Sequence, residues 1–133
     1  MSRGQSLVEL AACAPLAMLL TLGTVASVQV LDARAGLEAA TQAAAAEAAR
    51  APGPASAELA ARVRFDSIVA GYPLSSPRIS LSFGNFSRTD EVVASATGTV
   101  DLSWARLITP RPLTLEFTAM VPLESWRSHR SSP

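Results

Sequence analysis

Uncharged and mostly apolar residues run from Leu10 to Leu31, and the periodicity of the chain changes twice after that run ends. At 1.5 Å per helical residue, about twenty such residues cross the roughly 30 Å hydrocarbon layer of a bilayer. A membrane-spanning helix is therefore predicted over about residues 10–31. Residues 32–51 are dominated by alanine with scattered charges, which is strong helix-forming sequence with little side-chain bulk. The spanning helix is expected to continue through them as one rod, ended by Pro52-Gly53-Pro54. A second helix is predicted from Ser56, as its cap, to about Ala70. Leu59, Val63, Phe65, Ile68 and Val69 are its apolar positions, and Gly71 and Pro73 close it.

After Pro77 the period becomes two. Ile79, Leu81 and Phe83 alternate with Ser80 and Ser82, and Val92, Ala94, Ala96, Gly98, Val100, Leu102 and Trp104 alternate with a mostly polar set from Val93 to Ser103. A third run follows, in which Leu113, Leu115, Phe117, Ala119 and Val121 alternate with Thr114, Glu116, Thr118 and Met120. Three one-faced strands joined by residues 84–90 and 107–112 predict an antiparallel meander. Its apolar face needs cover, and the second helix and the outer end of the first are the candidates. The fold class expected is α+β, with a long N-terminal transmembrane helix, a short helix and a small three-stranded antiparallel sheet. The tail, 125–133, is polar and is expected to be poorly ordered.

Composition narrows the function. A chain of 133 residues is the size of one small domain plus one helix. Its 11 basic and 11 acidic side chains give no net charge, which argues against nucleic acid as the partner. The single cysteine, Cys13, lies in the apolar run, so the rest folds without a disulfide and Cys13 reads as a small packing residue. Leu10-Ala11-Ala12-Cys13 looks like a lipoprotein lipobox, but that signal needs an unbroken apolar stretch before its cysteine and Glu9 interrupts it. The one histidine, His129, stands in the polar tail between Arg127 and Arg130, where a solvated side chain is expected rather than a general base or metal ligand. No nucleophile elbow, phosphate loop or paired acidic motif is present, so neither an enzyme, a cofactor nor a metal is expected.

The start of the apolar run carries most of the specific signal. Arg3 and the terminal amine favour a cytoplasmic N-terminus, with the bulk of the chain exported. Ser6-Leu7-Val8-Glu9 fits a capping box in which Ser6 caps the helix and Glu9 reaches back to its amide. Pro15 deletes the hydrogen bond to the Ala11 carbonyl and predicts a kink or loosening between Ala11 and Pro15, which a lipid-embedded helix tolerates. Gly23, with Ala26 and Ser27, offers small residues for a second helix to approach, without a full G-x-x-x-G. Two other readings compete for the run. A buried core helix fails because the remaining chain is too small to enclose it. A removed signal peptide has a small-residue site at Ala33-Arg34-Ala35-Gly36, although the apolar run is long for that role and helix-forming sequence continues past it.

Arg3-Gly4-Gln5-Ser6-Leu7-Val8-Glu9 resembles the prepilin signal of type IV pilins and pseudopilins: a short basic leader, a glycine, and a glutamate five residues after it that heads an apolar helix. Taken with Leu10-Ala11, Pro15, Gly23, the alanine-rich 39–51 stretch and a closing strand region over 109–124, the chain resembles the TadE/TadG-like minor pilins of the tight-adherence (Flp-type) pilus system. The specific part of the match covers roughly the first fifty residues. Cysteines that some relatives carry in the exported part are missing here, and the short C-terminal region favours the TadE-like branch. The resemblance implies a leader over 1–4 cut by a prepilin peptidase between Gly4 and Gln5, a helix over 5–51, an exported domain over 52–124 and a tail over 125–133. It further implies that Glu9 pairs with the freed amine of a neighbouring subunit's Gln5. The partners implied are that peptidase, other pilin or pseudopilin subunits, an inner-membrane assembly platform and membrane lipid. The location implied is the inner membrane or a pilus. Two alternatives stay open: a single-pass anchored protein whose sheet edges bind a partner, and a secreted protein with a mature start near Ala35 to Ala40.

Overall fold

The computed structural model describes residues 2–85, 90–105 and 111–123. Two helices precede three strands: α1 Ser2–Arg50, α2 Pro54–Val69, β1 Ser75–Ser82, β2 Glu91–Val100 and β3 Leu113–Pro122. The strands form one antiparallel sheet in the order β1-β2-β3. This is the expected α+β arrangement. The tail over 125–133 lies outside the described residues.

At 49 residues α1 is about 70 Å long, and it has two environments. From Arg3 to Thr21 every residue is exposed, including Leu7, Leu10, Leu16, Leu19 and Leu20. The helix is long and apolar enough to cross a membrane, and only 6% of its most apolar 18-residue window is buried. From Ala26 onward small residues disappear into the molecule: Ala33, Ala40, Ala44, Ala45 and Ala48 are fully buried, with Leu37 almost so. Alanine stands there because both α2 and the sheet pack on this half of the helix, and a larger side chain would hold them away. The one buried polar side chain among the described residues, Thr41, donates to the Leu37 carbonyl at 2.6 Å, so its hydroxyl is satisfied within the helix.

The helix is continuous through Pro15. It begins at Ser2, which places Ser6 inside the second turn and corrects its expected role as the helix cap. Residues 2–5 are themselves helical, so Ser6 does not head the helix.

The start of α2 also differs from expectation. Gly53 is its cap residue and Pro54 its first residue, where the missing proline N–H costs nothing. Ser56 lies within the first turn and donates to the Gly53 carbonyl at 3.0 Å. The buried stripe is Ala57, Ala61, Phe65 and Val69, each four residues from the next. Leu59 and Val63 point outward, 67% and 62% exposed. Close approach to an alanine surface selects small residues plus one anchor, Phe65, and not the most apolar positions. The helix ends in turn bonds from Ala70, Gly71 and Tyr72 to Asp66, Ile68 and Val69 carbonyls.

The sheet faces divide as the alternation predicts, except that Leu113, expected on the covered face, is exposed at the start of β3. Val92, Ala94, Ala96, Gly98 and Val100 of β2 are buried, as are Ile79 and Ala119, while Leu81, Leu115, Phe117 and Val121 are half-buried around them. The outer face is mostly polar, with Ser95 and Thr118 hydroxyls 3.3 Å apart across one register pair, but it also carries the Val93–Met120 pair. Strand β1 starts earlier than expected, before Pro77. An irregularity in the β1–β2 register between Ser75 and Arg78 accommodates this, with Ser76 at φ 49°. Proline is tolerated there because β1 is an edge strand and the ladder is already broken. Strand β2 ends at Val100, so Trp104 does not continue its alternation. The Asp101 carboxylate accepts from the Ser103 amide at 2.9 Å and starts a short 3-10 turn, Ser103–Ala105.

Candidate functional site

Arg3, Gly4, Gln5 and Glu9 lie in the first turns of α1, all exposed. The first four amides of a helix have no intrahelical acceptor, and glycine is the residue that costs least to remove from helical geometry. Gly4 combines both conditions. Opening the backbone at Gly4-Gln5 disturbs about one turn and leaves the rest of the rod intact. No atom lies within 4 Å of where a Cβ on Gly4 would stand, so space alone does not require glycine there.

Glu9 is one helical turn from Gln5, on the same side of α1. Among the described residues no hydrogen bond or ion pair engages its carboxylate; an ion pair of Arg62 with Glu58, at 2.9 Å, lies on the exposed face of α2. Glu9 sits beyond the first turn of the helix as it stands, where the helix dipole contributes little. Leu7, Val8 and Leu10 around it are each about two-thirds exposed. The arrangement is one carboxylate, uncompensated within the described chain, in an apolar surface at the tip of a long rod.

Farther along, the hydroxyls of Thr21, Thr24 and Ser27 each donate to the carbonyl four residues back, at 2.8 Å. These are the hydroxyl side chains of the run, and each is satisfied without water, as an apolar medium demands. Cys13, earlier in the same run, is a free, exposed thiol. Gly23 is half-buried, but nothing lies within 4 Å of its missing Cβ. The close approach to α1 that small residues permit occurs instead at Gly36, where an added Cβ would lie 2.2–2.5 Å from the Tyr72 ring. The sequence reading missed Gly36 as a packing residue; nothing local marks it, because Tyr72 reaches it from the end of α2.

His129 lies outside the described residues, and among those described no group of three or more metal-ligating side chains comes together. Comparison with known protein families, with curated proteins and with solved structures returned no match.

Proposed function

We propose that the chain is a TadE-like minor pilin or pseudopilin, held in the inner membrane by α1 and cut between Gly4 and Gln5 by a prepilin peptidase. Its role is assembly and not catalysis. The N-terminus faces the cytoplasm and the α2–sheet domain is extracytoplasmic, with the subunit delivered through an assembly platform to a tight-adherence pilus. The observation that carries this reading is the solitary Glu9 carboxylate in the exposed apolar part of α1. A carboxylate in such a setting is costly unless paired, and a new amine at Gln5 of a neighbouring subunit supplies the pair.

The packing of α1 weighs against a removed signal peptide. Cleavage near Ala35 to Ala40 would take Ala26 and Ala33 out of the cluster they form with Val100, Leu102 and Ala105. A start beyond Gly36 would also remove that residue from beneath Tyr72. The exported domain would lose part of the surface on which its sheet is built.

Mass spectrometry of the mature N-terminus from the native host tests the reading. A chain starting at Gln5 is the expected result, and Gly4→Val should leave the leader attached. A start at Met1 or near Ala35 would overturn it.

A further inference from the structure

The sheet domain meets α1 first at Ala26, which is buried with Ala33 against Val100, Leu102 and Ala105. Just beside this contact, Trp104 is 43% exposed and its indole Nε1 donates to the Gln29 side-chain oxygen at 3.2 Å. Val25, Val28 and Leu31 are exposed on the helix at the same level, and Thr24, Val25, Val28, Gln29, Asp32 and Pro73 line a shallow hollow there. An indole fixed by its N–H, with much of its ring uncovered next to a bare apolar helix, needs an occupant that is apolar on one side and wet on the other.

The geometry points to the headgroup layer of the bilayer as that occupant: Trp104 is an interfacial anchor that seats the exported domain directly on the membrane surface. This inference rests on the reading of α1 as a membrane span, and it moves the outer edge of that span. If hydrocarbon reached Leu31, the Gln29–Trp104 contact and the exposed Asp101 and Ser103 beside it would lie within the apolar layer. A carboxylate and a turn of polar backbone are not tolerated against lipid tails. Ending the hydrocarbon at about Val25 removes that conflict. Gln29 then stands about 6 Å farther out along the helix axis. The polar layer on each side of a bilayer is about 5–8 Å thick, so the Trp104 ring falls within it, where tryptophan is enriched in membrane proteins. Asp32, at about 10 Å, reaches water.

The test uses the full-length chain carrying Trp126→Phe, which leaves Trp104 as the sole tryptophan. The protein is reconstituted in phosphatidylcholine vesicles that carry a spin label either near the headgroup or deep in the acyl chain, and co-flotation is measured on the same sample. The expected result is at least twofold stronger quenching of Trp104 by the shallow label than by the deep one, with a blue-shifted emission that is lost when the protein is denatured in guanidinium chloride. Stronger quenching by the deep label would overturn the proposed depth. Floating protein that is quenched by aqueous iodide and by neither lipid would overturn the anchor and leave the span standing. Protection from lipid and iodide alike, growing with the protein-to-lipid ratio, would put a second subunit on this face and equally overturn it. Protein that fails to float overturns the span itself.

Discussion

Two glycines on α1, Gly23 and Gly36, have opposite surroundings, and the contrast isolates what close packing contributes. Alanine raises helix propensity at either position by about 1 kcal/mol. At Gly23 the added methyl meets nothing within 4 Å, whereas at Gly36 it enters the Tyr72 ring. Overpacking of this kind costs about 1–3 kcal/mol, so Gly36→Ala should destabilise the domain by up to about 2 kcal/mol net. Gly23→Ala should leave it unchanged or slightly more stable. Thermal unfolding in detergent, followed by circular dichroism, separates the two; equal behaviour would mean that Tyr72 yields without strain. Glu9 supplies the second prediction at this scale. Glu9→Ala should leave membrane insertion intact and reduce incorporation into fibres, measured as the ratio of variant to wild-type subunit in sheared pili. Equal incorporation would remove the role proposed for the carboxylate. Glu9 could be picked out from sequence because a charge interrupting an apolar run is visible in one dimension. Gly36 could not, because its reason is a ring that arrives from residue 72.

Among the elements, α2 shows why a list of apolar residues is a poor guide to a buried face. Leu59 and Val63 are more apolar than Ala57 and Ala61, yet the alanines face inward and the larger residues face out. The partner surface on α1 is itself alanine-rich, and two such helices gain most by approaching closely, with Phe65 filling the space that remains. Phe65→Ala should therefore cost about 3–5 kcal/mol, a large share of the stability of a small domain. Leu59→Ser or Val63→Ser should change it by less than about 0.5 kcal/mol. Urea unfolding of the three variants checks the orientation of the helix, and a large loss for Leu59→Ser would contradict it. The strands were easier to read, since strict alternation leaves only one face that can be buried. Their ends were harder. Pro77 discouraged an earlier start to β1 until the register irregularity beside it is known, and the Asp101 turn that stops β2 before Trp104 is a side-chain to backbone bond with no periodic trace.

Considered whole, the molecule is a rod whose outer half is also the core of its domain. Among the described residues none before Ala26 is fully buried and only Leu22 and Gly23 are half-buried, so the bare part of α1 contributes little to the packing of the sheet. A chain lacking residues 1–24 should fold as a soluble domain with the sheet intact, seen as dispersed amide resonances. Removing residues 1–51 should abolish that dispersion, because the sheet would lose the surface it covers. Collapse of the shorter truncation would show that the bare helix supports the domain after all. If hydrocarbon ends near Val25, counting back about 30 Å along the helix reaches Gln5, which sets Glu9 one turn inside the apolar layer and Arg3 outside it. That depth strengthens the demand for a partner at Glu9. Sequence by itself determined the existence of the rod, the period of the strands and the lone carboxylate near its tip, since composition and periodicity decide these locally. Tertiary structure decided where the rod stops being bare, which face of α2 is buried and why Gly36 must be small, because each depends on surfaces brought together from distant parts of the chain.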